Sequence, residues 1–216
     1  MAKRIDPATL EAITGTLYPS PFDEPCRPRQ RKRLGDVAGL TQFGVNLLRL
    51  PPGAWSSQRH WHTGEDEFVY VLTGEVVLVT NAGEEVLRAG DAAGLTQFGV
   101  NLLRLPPGTW SSQRHWHTGE DEFVYVLAGE IVLVTDDGEE TLRAGDAAGF
   151  PANEGNGHCL QNRSDHDATV IEVGARTTGS VCYYPGIDMV APAGGKPAAY
   201  THRDGTPYEN IRRRGP

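Results

Sequence analysis

The sequence predicts an all-β fold, a barrel or sandwich of short strands. Three observations carry that prediction. Alternating apolar runs are broken every few positions by Gly and Pro turns. Residues 35–89 and 90–144 are one 55-residue segment written twice, with seven differences: Val37/Ala92, Ala54/Thr109, Thr73/Ala128, Val76/Ile131, Asn81/Asp136, Ala82/Asp137 and Val86/Thr141. Each copy holds His-x-His followed five residues later by Glu, which suits a strand, a tight turn and a returning strand.

Taken in chain order, Asp6 followed by Pro7 reads as an N-cap and first helical residue, which predicts a short helix through about Ile13. The turn-rich stretch Tyr18 to Phe22 ends it. Arg27, Arg29, Arg31, Lys32 and Arg33 form a basic run, read as a solvated linker. The repeat then predicts strands over 41–50, 55–62, 67–72, 75–80 and 84–88, separated by Pro51-Pro52-Gly53, Thr63-Gly64, Asn81-Ala82-Gly83 and Gly90-Asp91. The pentapeptide Gly-Asp-x-Ala-Gly recurs at Gly35, Gly90 and Gly145, as if the duplication joined two similar turns. Past Gly145 the chain leaves the repeat: Phe150-Pro151, a Gly-rich loop, His158, and a closing strand over 168–173. Beyond Arg176 the composition predicts an extended tail lying on the surface. The expected organisation is an N-terminal arm (1–34), a duplicated partial segment (35–89), a barrel core (90–176) and a tail (177–216).

Composition narrows the classes of partner. A net charge of −8 disfavours binding to polyanions, because nucleic-acid affinity rests on neutralising phosphates. No apolar stretch near the N-terminus is long enough for a signal or a membrane span, so neither nucleic acid nor membrane is an expected partner. Cys26, Cys159 and Cys182 are an odd number without paired spacing, which points to a reducing cytoplasm and away from a disulfide framework.

The chemistry concentrates in the repeat. Residues two apart on a strand leave the same face, so His115 and His117 project together, with Trp110, Arg114 and Trp116 opposite. The turn 118–121 returns Glu122 beside them. Two imidazoles and a carboxylate with open positions suit Fe(II), and a third His, with His158 the candidate, widens the choice to Mn, Ni, Cu or Zn. Glu120 and Asp121 are alternative oxygen donors on less ordered turn positions. His60, His62 and Glu67 form the same set in the first copy. His166 and His202 have no pattern and read as surface residues, and the Trp pairs 55/61 and 110/116 read as outer-face packing. No catalytic residue is assigned from the sequence.

These residues resemble the cupin superfamily, in particular the small bacterial cupins. The first motif of that family, a Gly, His-x-His, a Glu and a closing Gly, is matched by Gly108, His115, His117, Glu122 and Gly129, and again by Gly53, His60, His62, Glu67 and Gly74. The second is matched once, by Gly145, Pro151, His158 and Asn162. One departure is Asn153, where the family usually has Gly, with a loop to His158 about two residues longer. The resemblance covers 35–176 and implies a double-stranded β-helix with extra duplicated strands. It implies a divalent transition metal (Fe, Mn, Zn or Ni) held by His115, His117, Glu122 and His158, with His60, His62 and Glu67 as the alternative copy. The expected function is a metal-dependent enzyme on a small polar molecule, sugar-phosphate-isomerase-like. A non-haem Fe(II) dioxygenase and a non-catalytic ligand-binding or structural cupin are the alternatives. Because the displaced copy would carry unpaired strand edges, a homodimer, with or without strand exchange, is also expected.

Overall fold

The computed structural model describes residues 4–93, 98–191, 200–209 and 211. Its centre is a barrel of two antiparallel sheets. The larger has five strands in the order Arg4–Ile5, Ala147–Phe150, Glu122–Ala128, Ala168–Ala175 and Phe98–Leu105. The smaller runs Gly138–Arg143, Glu130–Thr135, His158–Gln161. Alternation decides what lies between them. Leu105, Val124, Val126 and Val170 from one sheet meet Ile131, Leu133, Leu142 and Leu160 from the other in a single core.

The opposite face of the larger sheet is also covered, which explains why strand 122–128 reads as a nearly unbroken apolar run. Phe123 and Tyr125 pack there with Ala147 against Ile5, Leu34, Leu40 and Phe43. The covering piece includes the helix Leu34–Ala38, the sole α-helix among the described residues. It sits so close that a Cβ on Gly149 would lie 2.3 Å from the Ala38 side chain. Glycine at 149 is therefore a condition for the helix to dock.

The duplication resolves unequally. The start of the first copy, residues 35–45, lies on the barrel, and the second copy from Phe98 onward builds it. The crossing point is marked by Phe43 and Phe98, equivalent residues whose rings stack at 5.9 Å. The described stretch after Phe43, through Ala93, turns away from the barrel once Val45 and Leu47 have packed on it. Its strand Asn46–Arg49 pairs with Gln30–Arg33, and Glu75–Thr80 forms a hairpin with Gly83–Arg88 that pairs with no other described strand.

Several sequence expectations need correction. The Asp6 cap is present, its Oδ1 accepting from the Ala8 N–H at 2.8 Å, but the helix is a single 3-10 turn, Pro7–Thr9. The residues that follow extend into the strand Ile13–Thr14 instead. The basic run is not a linker: Gln30–Arg33 is the central strand of a three-stranded sheet, Arg27 pairs with Asp23, and the Lys32 ammonium donates to the Pro7 carbonyl at 2.6 Å. Residues 55–62 form no strand. The tail does not simply lie on the surface, because Cys182–Tyr183 pairs with Trp116–His117 and with Val190–Ala191. No helix among the described residues is long and apolar enough to cross a membrane.

Candidate metal centre

Three separate pieces of chain bring the second-copy site together. His115 reaches it from an irregular segment held by a two-way backbone bridge, His115 N–H to His158 O at 3.0 Å and His158 N–H to His115 O at 2.8 Å. His117 lies on the strand Trp116–His117, and Glu122 opens the strand Glu122–Ala128. His158 begins the strand His158–Gln161, its ring stacked on Phe150 with centroids 3.6 Å apart. The longer loop before His158 is accommodated by Asn153, which adopts φ 63° as Asn tolerates, and whose N–H donates to the His117 carbonyl at 2.8 Å.

All three imidazoles turn Nε2 toward one carboxylate oxygen. Glu122 Oε2 lies 3.1 Å from His158 Nε2, 3.6 Å from His115 Nε2 and 3.7 Å from His117 Nε2. Two of the far ring nitrogens are tied back: His115 Nδ1 donates toward the Gln113 carbonyl at 3.0 Å, and His117 Nδ1 stands 3.2 Å from Glu120 Oε2, while His158 Nδ1 is buried with no hydrogen-bond partner. A proton held on Nδ1 leaves the Nε2 lone pair facing inward, the tautomer a metal ligand needs. Glu122 Oε2 itself is buried without a well-directed hydrogen bond. With three imidazole nitrogens converging on this buried carboxylate oxygen, a divalent cation is the partner that the donor set fits.

The electrostatics agree with that fit. Burial, with the charges of His158 and His117, holds His115 down to about 4, so its ring is neutral at neutral pH. For Glu122 burial is the largest single influence and favours the neutral acid. His158, His117 and His115 together outweigh it and hold the carboxylate at about 2. The space left among Trp116, His117, Glu120, Glu122, Pro151 and His158 is about 10 Å³, room for an ion or a water.

Of the alternative oxygen donors, Glu120 borders the site through His117 Nδ1, while Asp121 is committed elsewhere. Asp121 is fully buried and accepts from the backbone of Thr41, Gln42 and Ala152 at 2.6, 2.9 and 2.8 Å. Gln42 in turn donates to the Gly119 carbonyl at 2.8 Å and accepts from the Asp121 N–H at 3.1 Å. First-copy residues thus hold the turn that presents Glu122. Asn162 is also structural, donating to the Leu105 and His166 carbonyls, both at 2.7 Å.

His60, His62 and Glu67 gather in the same way, with Nε2 atoms 3.1 Å apart and 3.7 and 3.6 Å from the carboxylate. Their side chains are 34–64 % exposed, against 8–27 % for the second-copy set. No third imidazole joins them among the described residues. His166 pairs with Asp165 and His202 with Asp188, both away from the site.

Three groups near the site were not foreseen. Glu172 lies on strand 168–175, on the same face as the buried Val170 and as Gly174, which borders Glu122. Burial and the charge of Glu122 raise its pKa, partly opposed by His158. A single acid in the apolar run Thr-Val-Ile-Glu-Val was the signal available in the sequence. Cys182 and Tyr184 come from the tail, where nothing in the spacing marked them.

The cupin domain model matches residues 46–96 and 101–174. The chain belongs to the cupin family. Among solved structures, this cupin is 32 % identical to a sugar phosphate isomerase of the cupin superfamily from Silicibacter pomeroyi, with 94 % of each chain covered and a TM-score of 0.51. A structure from Acidithiobacillus ferrooxidans, named provisionally as a sugar phosphate isomerase, is 25 % identical over 57 % of this chain and 75 % of its own, with a TM-score of 0.48. Oxalate decarboxylase from Bacillus subtilis is 24 % identical over 36 % of this chain and 21 % of its own, with a TM-score of 0.31. No curated protein sequence matches the chain.

Proposed function

We propose that this cupin is a metal-dependent enzyme of isomerase type, acting on a small, hydroxyl-rich carbonyl compound. The observation that carries the reading is Glu172. It gives the inward face a titratable carboxylate beyond the candidate ligands, which an isomerase needs in order to move a proton between adjacent carbons. His115, His117, Glu122 and His158 would hold the metal, which as a Lewis acid would polarise the substrate oxygen. Glu172 would take the proton from one carbon and return it to the next; its raised pKa suits both halves of that exchange. The likeness to the Silicibacter protein over nearly the whole chain supports the same class.

The lining argues for the kind of group that faces the ion. Glu120, Glu122 and Glu154 border the small cavity, and no Lys or Arg among the described residues does. A phosphate placed at the ion would meet like charge there, so the substrate is expected to present a carbonyl or hydroxyl oxygen to the metal. A dioxygenase needs little protein acid–base chemistry and would leave Glu172 without a role. The deciding experiment follows deuterium exchange at the carbon next to the carbonyl, for aldoses with and without phosphate, on metal-loaded protein. Exchange lowered about 100-fold or more in Glu172→Gln at unchanged metal content is the expected outcome. Oxygen uptake without exchange would favour the dioxygenase, and metal binding with neither would favour a non-catalytic cupin.

We propose a cytoplasmic location as well, supported by three buried cysteines that form no disulfide. We also propose a homodimer, supported by the open edge of strand 75–80, with strand exchange as one form of it. A monomer in light scattering at micromolar concentration would count against it.

A further inference from the structure

We propose that Cys182 is a further metal donor in this chain, so that His115, His117 and Cys182 form a thiolate-containing ligand set beside Glu122. The inference rests on the reading of His115 and His117 as metal ligands and extends it to a residue from the C-terminal segment. Ligand atoms of His115, His117 and Cys182 all lie within 4.8 Å of one another, as do those of His115, Glu122 and His158. The two groups share His115. An ion held by His115 and His117 therefore has the Cys182 thiol among its neighbouring donors, with Glu122 approaching from the other group.

The approach of the thiol is fixed by backbone register. His117 and Cys182 are direct partners on antiparallel strands, so their side chains leave the same face side by side. Thr118 N–H donates to the Val181 carbonyl at 3.0 Å, Val181 N–H to the Thr118 hydroxyl at 2.9 Å, and Trp116 stacks on Tyr183 at 4.9 Å. The thiol is buried, and the Tyr184 hydroxyl is close enough to favour its thiolate. A hydroxyl donating to sulfur is the outer contact that orients a thiolate ligand. The Tyr184 ring lies against His115 at 5.9 Å and against Tyr200 at 6.0 Å, so the contact is itself braced.

Ligation breaks the S–H bond, forms a sulfur–metal bond and delivers one proton to solvent, with no change of oxidation state. A thiolate also shifts preference toward Zn(II) and Co(II) and away from Mn(II).

Titration of the full-length apoprotein with Co(II), followed by absorption, tests this. Wild type should show visible d–d bands and a near-ultraviolet sulfur-to-cobalt charge-transfer band. Cys182→Ser should keep the d–d bands and the stoichiometry, lose the charge-transfer band, and favour Zn(II) over Mn(II) about 10-fold less. Wild-type d–d bands without the charge-transfer band would overturn the role of Cys182 while leaving the histidine site intact. No cobalt bands at all would overturn both. Should Cys182→Ser fail to fold, X-ray absorption on zinc-loaded wild type decides: a sulfur neighbour at about 2.3 Å supports the proposal and an all-nitrogen/oxygen shell refutes it.

Discussion

Leu133 and Leu78 are the same residue in two copies of one segment, yet Leu133 is 1 % exposed inside the barrel while Leu78 is half-buried on a detached hairpin. The pattern repeats along the copies. Trp116 stacks on Tyr183, whereas its counterpart Trp61 is 85 % exposed. What the copies do share is local. Both form the hairpin; both close its far turn with the same bonds, Arg88 to Asp91 and Arg143 to Asp146, each at 2.8 Å; both set an arginine on the near turn, Arg59 on Asn81 and Arg114 on Asp136. Even the His-x-His geometry is reproduced. Near-identical sequence therefore specifies contacts made within the segment, while burial and the third imidazole depend on strands 158–161 and 168–175, of which the chain has one set.

The sharpest test of this contrast lies in metal affinity. His115→Ala should weaken binding more than about 100-fold, beyond the usual cost of losing a merely supporting contact, while His60→Ala should leave the tight site unchanged. Titration by calorimetry reads both, and equal losses would break the comparison. Next in size is the core: Leu133→Ala should cost about 2–5 kcal/mol in denaturant unfolding, and Leu78→Ala under about 1 kcal/mol, because little surrounds Leu78 to leave a cavity. Acidification comes next. The unfolded chain takes up a proton at residue 115 near 6.5 but the folded protein only near 4, so apoprotein stability should fall as pH drops from 6.5 to 4 and flatten below, a slope reduced in His115→Asn. The smallest difference concerns glycine. Gly74 and Gly129 share φ near +75–80°, but a Cβ at 129 would lie 2.6 Å from the Asp167 carbonyl while at 74 it meets nothing. Both alanine variants carry about 1–2 kcal/mol of backbone strain, and Gly129→Ala should lower Tm by several degrees more.

Much of this was legible beforehand, for a physical reason. Strand alternation, Gly and Pro turns and the two histidine motifs are short-range signals, and they led to an all-β cupin and to four residues that do converge. The reach of the Asp6 helix was overestimated because a cap says where a helix starts and not whether anything buries its next turn. Strand 30–33 was missed because its charges hid a pairing that depends on Asn46–Arg49, and Cys182 because it arrives from the far end of the chain. Thr41 and Gln42 could not have been singled out either. Their counterparts Thr96 and Gln97 are identical and lie outside the described residues, so only the fold distinguishes the pair that holds Asp121.

The stacked rings of Phe43 and Phe98 bear on how such a chain can arise. Where two copies of a segment present the same residue at neighbouring points in space, the path can leave one copy and resume in the other without moving a strand of the barrel. The entropy of closing the excursion grows only logarithmically with its length, so some fifty extra residues cost little more than half that number. An in-frame tandem duplication is then tolerated as a long surface insertion, and the spare copy, relieved of packing, is free to change at positions the barrel would never release.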